Sequence, residues 1–206
     1  MAFKKLQLLL LFLAILFCNG QRLSGQTFFE NKQFGIKFLR PENWILNGED
    51  AIKNSIDNIK LTEAQIMAIV NSRKGIISLC ALSKYDPANT PGIIPTIKIT
   101  IRKNPAADFE EFRKIMIAST ERLKTIFDDF ELTEKHKKIQ ASKKDCLYYS
   151  CRYSFKGSDS GKTTIRTKCY DIPSHDYYIS ITLMDSPPAE DCTQIFDQLI
   201  KSLLLQ

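Results

Sequence analysis

The chain has 206 residues, of which 44% are hydrophobic and 25% charged, with 29 Lys and Arg against 23 Asp and Glu and a formal net charge of +6. So mild a basic balance lacks the electrostatic footprint of a dedicated nucleic-acid binder. The length suits one domain with a full core, or at most two small ones.

Lys4 and Lys5, an apolar run from Leu8 to Phe17, and Cys18-Asn19-Gly20 before Gln21 have the pattern of a secretory signal peptide. The apolar run covers roughly half of what a bilayer-spanning helix needs, so no transmembrane anchor is expected after cleavage. Phe17 is too bulky for the position before a lipid-modified Cys18, which favours cleavage after Gly20 over a lipoprotein. The expectation is a leader over 1–20 and one domain over 21–206, secreted or periplasmic, with a formal charge reduced to +4.

Thr27 to Glu30 and Phe34 to Phe38 are short period-2 segments about Asn31-Lys32, which predicts a hairpin. After Pro41 and Trp44 comes a weakly periodic stretch through Ile52, Ile56 and Ile59. A helix follows over about Glu63 to Lys74, with Thr62 and Gln65 as a capping box, Leu61 and Ile66 at the staple positions, and Gly75 as the stop. Strands are expected over Ile76 to Tyr85 and Ile94 to Lys103. The longest helix is expected over Ala106 to Phe127, with Phe109, Phe112, Met116, Leu123 and Ile126 on one stripe and Asp108 and Glu111 as a second box. Strands over Phe130 to Lys138, Asp145 to Lys156, Thr163 to Ile172 and Tyr177 to Met184 lead to a final helix opened by Ser186-Pro187-Pro188.

Several chemical motifs dissolve on inspection. Gly157 to Thr163 has three residues between its glycines where a phosphate loop needs four, and it joins two strands rather than opening a helix. Ser174-His175-Asp176 places triad residue types side by side, where they cannot adopt triad geometry. His136 and His175 are expected to be solvated. No CxxC or Cys/His cluster at zinc spacing occurs, so neither a metal nor a cofactor is expected. Cys151 and Cys169 lie on inward faces of adjacent strands, and a register centred near Ser160 would pair them in a disulfide.

Strand alternation gives the sharper clue. Leu147, Tyr149, Cys151 and Tyr153 separate from Tyr148, Ser150, Arg152 and Ser154, and the isoleucines at 97, 99 and 101 separate from Lys98, Thr100 and Arg102. If the polar sides coincide, Lys98, Arg102, Tyr148, Arg152, Arg166, Lys168, Tyr170 and Tyr178 form one field of cations and phenols on one sheet face. Such a field suits an anionic or carbohydrate-like ligand or an acidic protein surface. The plainer reading is an antiparallel sheet solvated on one side. Lys135, Lys137, Lys138, Lys143 and Lys144 form a separate basic run, which guards a sheet edge or attracts anionic headgroups.

The segment Phe34-Gly35-Ile36-Lys37-Phe38-Leu39-Arg40-Pro41-Glu42-Asn43-Trp44, an amphipathic strand leading into Pro-x-x-Trp, resembles the opening of PsbP-like domains. Tyr177 to Thr182, followed by a helix ending Ile200-Lys201-Ser202-Leu203, is similar to that family's last strand and helix. The resemblance implies an α+β fold, a PsbP-like α/β/α sandwich of antiparallel β-sheet with packed helices, which here are expected mainly on one face. The family includes photosystem II extrinsic subunits, a Ran-GTPase-binding import protein and bacterial envelope proteins, so fold kinship transfers little function. The functional expectation is an exported, non-enzymatic binding domain. The alternatives are a hydrolase or transferase with a scattered site, and a structural subunit of an envelope complex.

Overall fold

The computed structural model describes residues 27–47, 62–72, 75–127, 129–156 and 162–206. The expected leader and cut, the stretch through Ile52 to Ile59, Leu61, Arg73-Lys74 and the turn expected over Gly157 to Gly161 lie outside the described residues.

The predicted N-terminal hairpin is β1 (Phe28–Asn31) with β2 (Ile36–Leu39), completed by the two-residue β10 (Leu204–Leu205) into a three-stranded sheet. A larger antiparallel sheet runs in the order β3-β4-β5-β9-β8-β7-β6. Its strands are β3 (Ile45–Asn47), β4 (Ile76–Ser83), β5 (Thr96–Lys103), β6 (Glu131–Ala141), β7 (Lys144–Lys156), β8 (Lys162–Pro173) and β9 (Tyr177–Asp185). The short strands β3 and β10 carried no readable alternation.

Three helices complete the described elements: α1 (Glu63–Ser72), α2 (Phe109–Glu121) and α3 (Thr193–Ser202). The capping box of α1 is formed. Thr62 N–H donates to Gln65 Oε1 at 2.8 Å and Gln65 N–H donates to Thr62 Oγ1 at 3.3 Å. At α2, Glu111 N–H donates to Asp108 Oδ1 at 2.8 Å, while the Glu111 carboxylate reaches back to Ala107 N–H at 2.7 Å.

Two helix boundaries differ from expectation. The long helix becomes a 3-10 turn over Arg122–Thr125, whose tighter period rotates the apolar stripe away from the sheet and leaves Ile126 66% exposed. The last helix starts at Thr193, not at Ser186. Ser186 and Glu190 close a bridged turn, and Thr193 N–H is met by Asp191 Oδ1 at 2.8 Å.

Helices cover both faces of the large sheet, not mainly one. On one face, Ile97, Ile99, Ile101, Ile181 and Leu183 pack with Ile66 and Val70 of α1, Phe196 and Leu199 of α3, and Phe29, Ile36 and Phe38 of the small sheet. Trp44 belongs to this core, its ring 6.3 Å from Phe196 in an edge arrangement. The Pro-x-x-Trp turn sets it there, with Asn43 at φ 62° and Trp44 N–H donating to the Pro41 carbonyl. On the other face, Phe112 of α2 packs with Ala106, Leu147 and Tyr178.

Candidate functional site

Register decides which side chains share a face. In the β7–β8 hairpin Arg152 pairs with Arg166 and Tyr148 with Tyr170, so even residues face even residues. In the β8–β9 hairpin Cys169 pairs with Thr182 and Tyr170 with Ile181, so parity flips. The β5–β9 pairing preserves it, with Lys98 opposite Thr182 and Arg102 opposite Tyr178.

The eight predicted residues therefore divide between two faces. Tyr148, Arg152, Arg166, Lys168 and Tyr170 lie on the α3 side, whereas Lys98, Arg102 and Tyr178 lie on the α2 side. The single field of donors expected from alternation does not form. Lys98 is exposed. Arg102 donates from Nε to Thr100 Oγ1 at 3.3 Å, and Tyr178 lies beneath Phe112, 5.2 Å between ring centroids.

On the α3 side, tertiary packing brings carboxylates to the cations. Arg166 donates from Nε to Asp185 Oδ1 at 2.9 Å and from Nη2 to Asp185 Oδ2 and Asp191 Oδ1. Asp185 also accepts from Cys192 N–H at 2.8 Å, so this cluster pins the start of α3. Lys168 Nζ sits 3.7 Å from Asp197 of α3. The Tyr148 hydroxyl donates to Glu134, its ring lies 4.8 Å from Tyr170, and Lys137 caps it at 4.9 Å. Bulges on both sides of Glu134 in β6 permit this aim. Hydrogen bonds from Lys137 and Tyr148 hold the Glu134 carboxyl below its usual range.

Arg152 stays open. Its side chain is 57% exposed and donates from Nε to Glu131 Oε2 at 2.8 Å. It lines a polar cleft at the end of the β7–β8 hairpin where β7 leads into β8, with Ser154 and Thr164 in register beside it. Tyr153 also borders the cleft, but its ring lies on the opposite, α2 side of the sheet, stacked on Phe127 at 4.3 Å. Asp129 and Lys162 complete the lining, 2.9 Å apart. Ser154 N–H donates to Asp129 at 2.9 Å; this contact and Lys162 hold that carboxyl well below the usual range. Sequence reasoning passed over the acids at 129, 131, 134, 185, 191 and 197, because none alternates with the cations it meets.

The expected Cys151–Cys169 disulfide is not formed. Cys151 pairs with Thr167 and Tyr149 with Cys169, so the register is centred on position 159 and the thiols are diagonal neighbours. Both are buried and free, and burial raises the Cys151 thiol to about 11. His175 is 84% exposed, 3.0 Å from Asp176. His136 is not a solvated surface residue: its ring stacks on Tyr149 at 4.4 Å, and Nε2 lies 3.0 Å from Thr120 Oγ1. Thr120 gives its hydroxyl proton to the Met116 carbonyl, which assigns the donor role in that contact to His136. The basic run lies along the outer strand β6 and the turn into β7, where Lys137 pairs with Glu134 and Lys138 with Asp145.

The whole described arrangement matches solved structures. Cyanobacterial PsbP (CyanoP) from Synechocystis sp. PCC 6803 superposes with a TM-score of 0.52 at 12% identity, covering 91% of this chain and 96% of that one. The chain has the PsbP-like fold. LpqN of Mycobacterium tuberculosis, described as involved in cell envelope biogenesis, gives a TM-score of 0.49 at 10% identity over 90% of this chain and 87% of its own. The yeast Ran-binding protein Mog1p gives 0.41 at 10% identity over 88% and 95%. No family model matches, and no curated protein matches the sequence. Within the PsbP-like fold of this chain, Trp44 and α3 close the core on one side of the sheet and leave the β7–β8 cleft at its end.

Proposed function

We propose that this chain is an exported, non-enzymatic binding domain of the envelope or secreted space, whose ligand docks in the cleft at the end of the β7–β8 hairpin where β7 leads into β8. The observation that carries this reading is the arrangement around Arg152. There Arg152 and Lys162 are more than half exposed, Glu131 and Asp129 lie beside them, and two hydroxyl side chains stand in register. Two cations against two carboxylates make the cleft charge-balanced. A free anion would meet Glu131 and Asp129, whereas sugar hydroxyls both donate and accept. The ligand class is therefore carbohydrate-like. The leader pattern of residues 1–20 supports export.

Titration of isotope-labelled protein with neutral and with sulfated oligosaccharides tests the site. Neutral sugars should shift amide resonances at 129–131, 152–154 and 162–164, and Arg152→Ala should weaken binding about tenfold or more, the scale of one lost charged hydrogen bond. Shifts centred elsewhere, or undiminished binding by Arg152→Ala, would count against the cleft. Mass analysis of the exported protein should find Gln21 at the amino terminus.

A further inference from the structure

Across the α2 face of the large sheet Asp171, Ser180 and Thr100 lie side by side on β8, β9 and β5, with the apolar Leu147 of β7 next to Asp171. Asp171 is 1% exposed, Thr100 3% and Ser180 7%. Neither oxygen of the Asp171 carboxyl has a hydrogen-bond partner of normal geometry among the described residues. An ionised carboxylate in such a place carries a large desolvation cost, whereas a protonated one carries little. The apolar contact next to it is the one that docks α2, Phe112 on Leu147 and Tyr178.

We infer that Asp171 makes the α2 layer an acid-tightened cover: protonated, it leaves an uncharged interface on which the helix closes, and ionised, it puts an unpartnered anion beneath that interface and loosens the helix. Burial raises the Asp171 carboxyl to about 6, and the Ser180 hydroxyl and Arg102 oppose the shift only in part. Its folded value thus lies above the unfolded one near 3.8. The folded state then binds more protons between the two values, so stability from this group is full below about 3.8 and lost as pH rises through about 6.

The other titratable groups facing this layer are Lys98 and Arg102 of β5, His136 and Lys138 of β6, Tyr149, Cys151 and Tyr153 of β7, Cys169 of β8 and Tyr178 of β9, with Arg113 and Glu121 of α2 acting on His136. Burial raises these thiols and phenols, so they stay neutral across this window. His136 is the opposing group. Burial and Arg113 lower its value, so its protonation weakens the same layer as pH falls.

Hydrogen exchange of the full chain at pH 4.5 and 7.5, corrected for intrinsic rates, separates the two groups. Between those values the protection that Asp171 confers on the α2 amides should change on the order of tenfold. With His136→Gln as the background, α2 should be better protected at pH 4.5, and adding Asp171→Asn or Asp171→Ser should abolish the difference. An unchanged pH response in both double variants overturns the inference. So does a response spread evenly over the sheet amides instead of concentrated in α2. Neither readout involves the hairpin cleft, so failure here is distinct from failure of the proposed binding site.

Discussion

At the scale of single residues, two arginines that are cross-strand neighbours have opposite duties. Arg152 and Arg166 pair across β7 and β8, yet the Arg152 side chain is 57% exposed whereas Arg166 is 20% exposed and forks onto a carboxylate that is fully buried. Truncating Arg166 strands Asp185, which then keeps only the Cys192 N–H among its described partners. Breaking a buried pair in this way costs about 3–5 kcal/mol, while an exposed pair is worth less than about 1 kcal/mol. Urea denaturation should show Arg166→Ala losing several kcal/mol and Arg152→Ala staying near wild type. Equal losses in the two variants would mean that the Arg166 cluster does not anchor α3. A joint Arg152 and Arg166 replacement would therefore not leave the fold intact, because one member of the pair is structural.

At the scale of elements, α2 shows how a sequence stripe can be correct in part. Phe112 and Ile126 belong to the same predicted apolar stripe, but the α-helix ends at Glu121 and the 3-10 turn changes the period. Phe112 is fully buried and Ile126 is 66% exposed. Thermal or urea unfolding should place Phe112→Ala about 3–5 kcal/mol below wild type, the range for deleting a buried phenyl ring, and Ile126→Ala within about half a kcal/mol of it. The N-cap is a separate contribution. Asp108→Ala should cost about 1 kcal/mol, since Glu111 N–H loses its acceptor. A variant Ile126→Ala as damaging as Phe112→Ala would show that the helical stripe continues past Glu121.

At the scale of the whole molecule, sheet register determines both the thiol chemistry and the distribution of the predicted site. Cys151 and Cys169 are buried behind the α2 layer and burial raises both thiols, so native protein at pH 8 should resist maleimide while denatured protein reacts fully. A disulfide between them in the mass spectrum of native protein would require a pairing other than Cys151 with Thr167. Much of the fold was legible in the chain. The capping box at Thr62, the strand alternations and the Pro-x-x-Trp turn are local, and local spacing specifies them. The candidate site was legible only as residue types on individual strands. Whether the polar side of β5 meets the polar side of β7 depends on parity summed over the hairpins between them, and the β8–β9 hairpin flips it. The carboxylates that meet Arg166 and Lys168 arrive from the end of β9, the turn after it and α3. Sequence alone thus determined most of the elements, though not the short β3 and β10 or the ends of two helices, and it carries the pattern of a leader. Tertiary structure decided which side chains share a face and which charges are paired, because both depend on contacts between residues distant in the chain.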